Sequence, residues 1–255
     1  MWNLTTSNLK YLFYLDILGF KNLVKEKRPE EVYKTIDKCL EIYYSWEKLN
    51  GIFSTLYFSD TIIFYQTCEE YIETAFLDIY GMAGLIFTKL LSQGIPVRGA
   101  ITFGEFNTKY DSKDRNNIFF GEALVEAYEL EKEEWIGIKI SPSAYKNIDN
   151  NIIESFIKEN VFEMRQDGCL LLNPFCQIRH WCYYENAYEE AGEMLLDDLK
   201  AFNFLINCAN ELNLKDPSGR VTMKYLNTVN FLKKVMKNGM FEWDEKMVVE
   251  LRDKM

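Results

Sequence analysis

The stretch from Tyr11 to Phe20, YLFYLDILGF, constrains this chain more than any other. An unbroken apolar and aromatic run suits a buried strand, yet it meets Asp16 and then a bend through Gly19. A carboxylate at the end of a buried strand has to meet charge, water or a cation. A second arrangement of this kind lies at 52–65, where IFSTLYF and TIIFY flank Ser59-Asp60 as a polar hinge between strands. If the two strand ends lie side by side, Asp16 and Asp60 converge. With no lysine or arginine beside them in sequence they would repel, and a divalent cation is the ordinary way to neutralise such a pair. Taken singly each has a plainer reading, Asp16 as a helix cap and Asp60 as a hairpin-turn residue.

A chain of 255 residues with 48% apolar composition is long enough to bury a core. Its formal charge of −10 argues against a nucleic-acid partner, which needs a basic face to offset phosphate repulsion. An acidic enzyme still handles nucleotides where a metal ion carries the positive charge locally. No run of roughly 20 apolar residues is expected to span a bilayer, and no basic-then-apolar leader opens the chain, so no membrane partner and a cytoplasmic location are expected. The scattered cysteines read as reduced core residues. Cys176 and Cys182 flank the only histidine, His180, at a spacing that matches no common zinc pattern and reads as packing.

The chain then alternates. Pro29 to Leu49 carries Val32, Ile36, Cys39, Leu40 and Tyr43 at helical steps, and Asn50-Gly51 ends it. Glu69 to Gln93 is a second long helix and Val97 to Phe106 a glycine-bearing strand. The polar stretch Asn107 to Asn117 reads as an exposed loop. A helix from Gly121 to Glu134 has Ala123, Leu124, Ala127, Tyr128 and Leu130 facing inward. A short strand, 136–140, leads to the capped helix start Ser141-Pro142. The order βαββαβαβ predicts an α+β fold, an open and mainly antiparallel sheet with helices on one face, over residues 1–150. Residues 151–255 read as a hairpin at 161–172 and helices at 185–212 and 224–237, parted by the turn Asp216-Pro-Ser-Gly219.

Several of these segments, in this order, resemble class III nucleotidyl cyclases: DILGF at 16–20, FSD at 58–60, VRGAITFG at 97–104, GEALVEAYELE at 121–131 and ISPSAY at 140–145. The run around Ala123, Ala127 and Tyr128 is most similar to the stand-alone pyrimidine cyclases of Pycsar anti-phage systems. The resemblance covers roughly residues 10–147 and implies a ferredoxin-like, palm-type sheet with a helical C-terminal extension packed on it. It implies two Mg²⁺ or Mn²⁺ ions held by Asp16, Asp60 and the Ile17 carbonyl, with Arg98 as a catalytic cation. The bend Ile17-Leu18-Gly19-Phe20 opens a helix whose free N–H groups grip phosphate oxygens. The implied substrate is a nucleoside triphosphate, UTP before CTP, cyclised to a second messenger in anti-phage defence. The implied assembly is a homodimer with its sites at the interface, and the downstream cyclic-nucleotide effector is not expected to bind directly.

The chain also departs from the resembling enzymes. An asparagine and an arginine that purine cyclases place on the helix after the glycine fall here on Val125 and Glu129, and a purine-reading lysine falls on Leu56. Transition-state charge then rests with Arg98, Lys139, Lys109, Lys113 or Arg115, or the chain is inactive. A purine cyclase and a catalytically dead nucleotide-binding dimer therefore stand as alternatives. Glu122, Glu126 and Glu129 read as a solvated helix face, and Lys139 as a solvent-facing residue of an edge strand.

Overall fold

The first strand, β1 (Leu9–Ile17), sets the layout by alternation. Tyr11, Phe13, Leu15 and Ile17 enter a large apolar core on one side of the sheet, and Leu12 and Tyr14 enter a smaller cluster on the other. The computed structural model describes residues 8–50, 53–68, 71–109, 118–132, 135–176 and 188–237. After β1 come helices α1 (Phe20–Glu26) and α2 (Pro29–Asn50), the hairpin β2 (Ser54–Phe58) and β3 (Thr61–Thr67), helix α3 (Ile72–Ser92) and β4 (Val97–Glu105). A ribbon of β5 (Asn107–Lys109) and β6 (Ile118–Phe120) precedes α4 (Glu122–Glu131), β7 (Ile138–Ile140), α5 (Pro142–Tyr145) and α6 (Asn150–Lys158). The hairpin β8 (Phe162–Met164) and β9 (Leu170–Leu172), a 3-10 turn (Pro174–Cys176), α7 (Tyr188–Lys215) and α8 (Arg220–Lys237) complete the described chain.

Seven strands form one sheet in the order β2-β3-β1-β4-β7-β9-β8, antiparallel except where β4 runs parallel to β7. The predicted α+β class holds, as does the antiparallel character. The expectation of helices on one face does not: α3 covers the back, while α4 packs Ala123 and Ala127 onto Leu12, Tyr14 and Ala100 at the front. Residues 107–109 and 118–120, the first of them read as loop, pair as a ribbon instead, because Phe119 finds apolar cover on the front cluster. The C-terminal hairpin extends the same sheet past residue 160.

Helix α3 is apolar on nearly every side because it lies between the sheet and α7. By length and composition it is long and apolar enough to cross a membrane, contrary to the sequence expectation, and 78% of that window is buried inside the fold. Phe162 packs edge-on to Tyr80 at 5.3 Å and to Phe156 at 5.4 Å, contacts worth roughly 0.5–1.5 kcal/mol each beyond area burial. Lys89 donates to Asp197 at 2.6 Å, joining α3 to α7. Cys39, Cys68 and Cys169 are buried free thiols, as read from sequence, while His180 and Cys182 lie outside the described residues.

Candidate active site

The two aspartates stand on adjoining strand tips. Asp16 faces Thr61 in the β1–β3 ladder, so Asp60, at the turn just before Thr61, lies beside the end of β1. The Ile17 N–H donates to the Asp60 carbonyl at 2.9 Å and locks the two tips together. Ser59 makes the turn with a left-handed φ of 56°. Gly19 takes φ 71° at the start of α1, a conformation open to glycine at little cost. The Leu18 N–H is committed to the Pro96 carbonyl at 2.8 Å, so among the predicted phosphate-binding residues Gly19 and Phe20 are the ones left to present backbone donors.

Arg98 is the neighbour that sequence distance hid. It is the cross-strand partner of Asp16 in the β1–β4 register, and its Nε donates to Asp16 Oδ2 at 3.1 Å. No basic residue lies beside the aspartates in sequence, yet in the sheet Asp16 has one 82 residues away and directly opposite. Gly99 makes this packing possible, since a Cβ there would sit 2.6 Å from the Tyr14 carbonyl oxygen and 2.8 Å from the Phe13 ring.

A third carboxylate was missed. Helix α4 runs back along β4, from Ala123, whose carbonyl accepts from Thr102 at 2.8 Å, to Glu131, which ion-pairs with Arg98 Nη2. One guanidinium thus joins two carboxylates, with side chains only 15% (Asp16), 17% (Arg98) and 5% (Glu131) exposed. Burial first, and then the Asp16 carboxylate beside it, raises the Glu131 pKa to about 7 against the pull of Arg98. The carbonyl end of a helix is an unfavourable place for a buried acid, which makes the Arg98 contact the compensating one. The spacing Ala123, Ala127, Glu131 was the available signal: a four-residue step carries the glutamate onto the buried face of α4.

The front face gathers charge toward this end. Burial raises the Tyr14 pKa, its hydrogen bond with Thr61 at 3.3 Å opposes the shift, and the carboxylates of Asp16, Glu131 and Asp60 all add to it. All three acids therefore act on one phenol. No group of three or more His, Cys, Asp or Glu side chains placed to hold a metal occurs among the described residues. The donors on hand are the two aspartates and backbone carbonyls, hard oxygen ligands of the kind Mg²⁺ and Mn²⁺ take.

Other candidates fall elsewhere. Lys139 is 2% exposed on β7, an interior strand between β4 and β9, so its reading as a solvent-facing edge residue is corrected. Burial, and then the charge of Arg165, lowers its pKa to about 8, with the Asp167 carboxylate of the β8–β9 turn opposing the shift. Lys113 and Arg115 lie outside the described residues, as does all but the backbone of Lys109. Val125 and Glu129 occupy the outer face of α4, where Glu129 pairs with Lys132 at 2.8 Å. Glu126 is not simply solvated, since it accepts from the Ser143 hydroxyl at 2.6 Å. Tyr128, expected inward, is 49% exposed and meets Tyr14 edge-on at 6.5 Å. Leu56 is buried in the front cluster.

The chain matches no protein-family model, and no curated protein matches it in sequence. Among solved structures it shares the fold of the monomeric guanylyl cyclase domain of the RhoGC fusion protein from the aquatic fungus Blastocladiella emersonii. That match has a TM-score of 0.50 at 17% identity and covers 66% of this chain and 98% of that one. The adenylyl cyclase CyaB from P. aeruginosa matches with a TM-score of 0.45 at 15% identity, over 65% of this chain and 94% of that one. The guanylate cyclase domain of RhGC from Catenaria anguillulae in complex with GTP matches with a TM-score of 0.46 at 14% identity, over 66% and 96%. The cyclase palm fold expected from the sequence is the fold of this chain.

Proposed function

We propose that this chain is a nucleotidyl cyclase that converts a pyrimidine nucleoside triphosphate, UTP before CTP, to a 3′,5′-cyclic nucleotide and pyrophosphate. The observation that carries the reading is the adjacency of Asp16 and Asp60 on locked strand tips at the charged end of the front face, in a cyclase fold. These residues fit a pair of Mg²⁺ or Mn²⁺ ions: Asp16, Asp60 and the Ile17 carbonyl would hold them. When bound, the ions would lower the pKa of the ribose 3′-hydroxyl and neutralise the triphosphate. The chain's own part is placement. Asp16 and Asp60 fix the ion sites, the Gly19 and Phe20 N–H groups face phosphate oxygens, and Arg98 supplies the fixed positive charge beside them. The 3′-hydroxyl gives up its proton to solvent, its oxygen bonds to the α-phosphorus, and the bond from that phosphorus to the α,β-bridging oxygen breaks as pyrophosphate leaves.

The apolar Leu56, where a purine-reading lysine would stand, supports a pyrimidine, and uridine is preferred as the commoner product of the resembling enzymes. A homodimer is supported by Ile118, Phe120, Val125 and Tyr128, large apolar side chains exposed on the ribbon and the outer face of α4. A role in anti-phage signalling follows from the same resemblance. Incubating the full chain with each of the four triphosphates and Mn²⁺, with products separated by chromatography, tests the reading. Cyclic UMP from UTP supports it, a product from ATP or GTP alone replaces it with a purine cyclase, and no product from any triphosphate overturns it.

A further inference from the structure

Arg98 serves two carboxylates at once, and one of them, Asp16, is a proposed cation ligand. Its Nε lies on Asp16, and its Nη2 lies on Glu131, which is the more deeply buried of the two acids. A guanidinium bound to Asp16 alone would compete with any cation for that carboxylate. A second carboxylate at the far end of the fork changes this balance, because it keeps the guanidinium anchored whether or not Asp16 is engaged elsewhere. From this arrangement we propose that Glu131 is a positioning residue: it holds Arg98 from behind, so that Asp16 is free to take a divalent cation while Arg98 stays beside the triphosphate. The inference rests on the cyclase reading above and adds to it a residue that touches neither cation nor nucleotide.

The backbone supports that division of labour. Arg98 is fixed from below by the β1–β4 register, with Gly99 in close contact with Tyr14. Glu131 is fixed from above by α4, through Ala127 and Ala123 on the front cluster. Asp16 sits at the open end, one residue short of the strand terminus and next to the Asp60 turn. The anchoring acid is thus on a packed helix, and the acid that must change partners is at a strand tip.

The test is Mn²⁺ binding to nucleotide-free protein, followed by electron paramagnetic resonance of the free ion, with turnover measured in parallel. Glu131→Gln should weaken Mn²⁺ binding by roughly tenfold, the scale of one perturbed charge pair. Excess Mn²⁺ should then restore kcat, and Glu131→Asp should recover most of the affinity. Arg98→Met should tighten Mn²⁺ binding, and adding Glu131→Gln to it should change affinity clearly less than the same substitution does in the wild-type chain, because the larger part of the Glu131 effect passes through the guanidinium. Unchanged binding in Glu131→Gln, or an equal loss with and without Arg98, overturns the proposal, as does weaker binding in Arg98→Met should the glutamine variant fail to fold. A wild-type chain that cyclises triphosphate while Glu131→Gln binds Mn²⁺ normally removes this inference alone. A wild-type chain that neither binds Mn²⁺ nor forms product removes the cyclase reading and this inference with it.

Discussion

The two faces of the sheet are built from the same strands and have opposite contents. The back, under α3, is a continuous aromatic and aliphatic core in which Phe76, Phe87, Tyr80 and Phe162 are almost fully buried. The front begins apolar, with Leu12, Ile63 and Ala123, and becomes charged along β1 and β4 until Asp16, Arg98 and Glu131 meet at its end. Stability is concentrated in the first region and the proposed chemistry in the second, so a substitution should affect one without the other.

The largest separation is expected from Asp16→Ala and Asp60→Ala. Each removes a carboxylate from the proposed ion pair and should lower turnover by roughly 10³-fold or more, a loss of several kcal/mol of transition-state stabilisation. Far-UV circular dichroism should show the fold intact, and retained activity in either variant would break the assignment. The converse is Phe76→Ala, which removes a ring with no exposure that meets Tyr11, Tyr80 and Phe162. It should cost about 3–5 kcal/mol in urea denaturation while leaving the specific activity of the folded fraction close to wild type.

Gly99→Ala sits on the seam between the regions. Its new Cβ would press on the Tyr14 carbonyl and the Phe13 ring, so about 1–3 kcal/mol of stability and part of the activity should be lost together. Loss of one without the other would show that the faces are less coupled than their shared strands imply. The smallest effect is the share of the pH dependence that arises in the back, separate from that of Glu131 at the front. Asp198 on α7 is fully buried, and burial above all, with Asp197 beside it and the Thr88 hydroxyl opposing, holds its pKa well above the usual 3.8. The folded state therefore grips this proton more tightly than the unfolded chain does. That stability is fully present below the unfolded pKa and is lost as pH rises through the folded one. Asp198→Asn should make the decline that sets in above pH 3.8 shallower in denaturation series; a decline as steep as in wild type would exclude Asp198 as a source of it.

What the sequence made legible follows the same division. The helix at 29–49, the strand at 97–106, the Ser141 cap and the Asp216 turn all appear within a residue or a few of their expected limits, since local periodicity and turn chemistry determine them. Ser141 Oγ accepts from the Ala144 N–H at 3.3 Å as a capping serine should. What it hid depends on register. Arg98 meets Asp16 only because β4 lies antiparallel beside β1 with those residues opposed, and no local pattern carries that offset. Glu131 was visible as a step of four from Ala127, but it was passed over because acidic residues on a helix usually face water. Placing α4 at the front likewise required knowing which strands neighbour β1, as the apolar stripe of a helix names no sheet face.

The central claim is that two carboxylates on neighbouring strand tips share the cations that bind a pyrimidine triphosphate. Crystals grown with Mn²⁺ and a non-cyclisable UTP analogue, with data collected at the manganese absorption edge, test it most directly. The account predicts anomalous peaks within roughly 2.0–2.3 Å of carboxylate oxygens from both Asp16 and Asp60, with the triphosphate against them and Arg98 still paired to Glu131. Manganese bound to only one of the two aspartates, or at a distance from both, would contradict it.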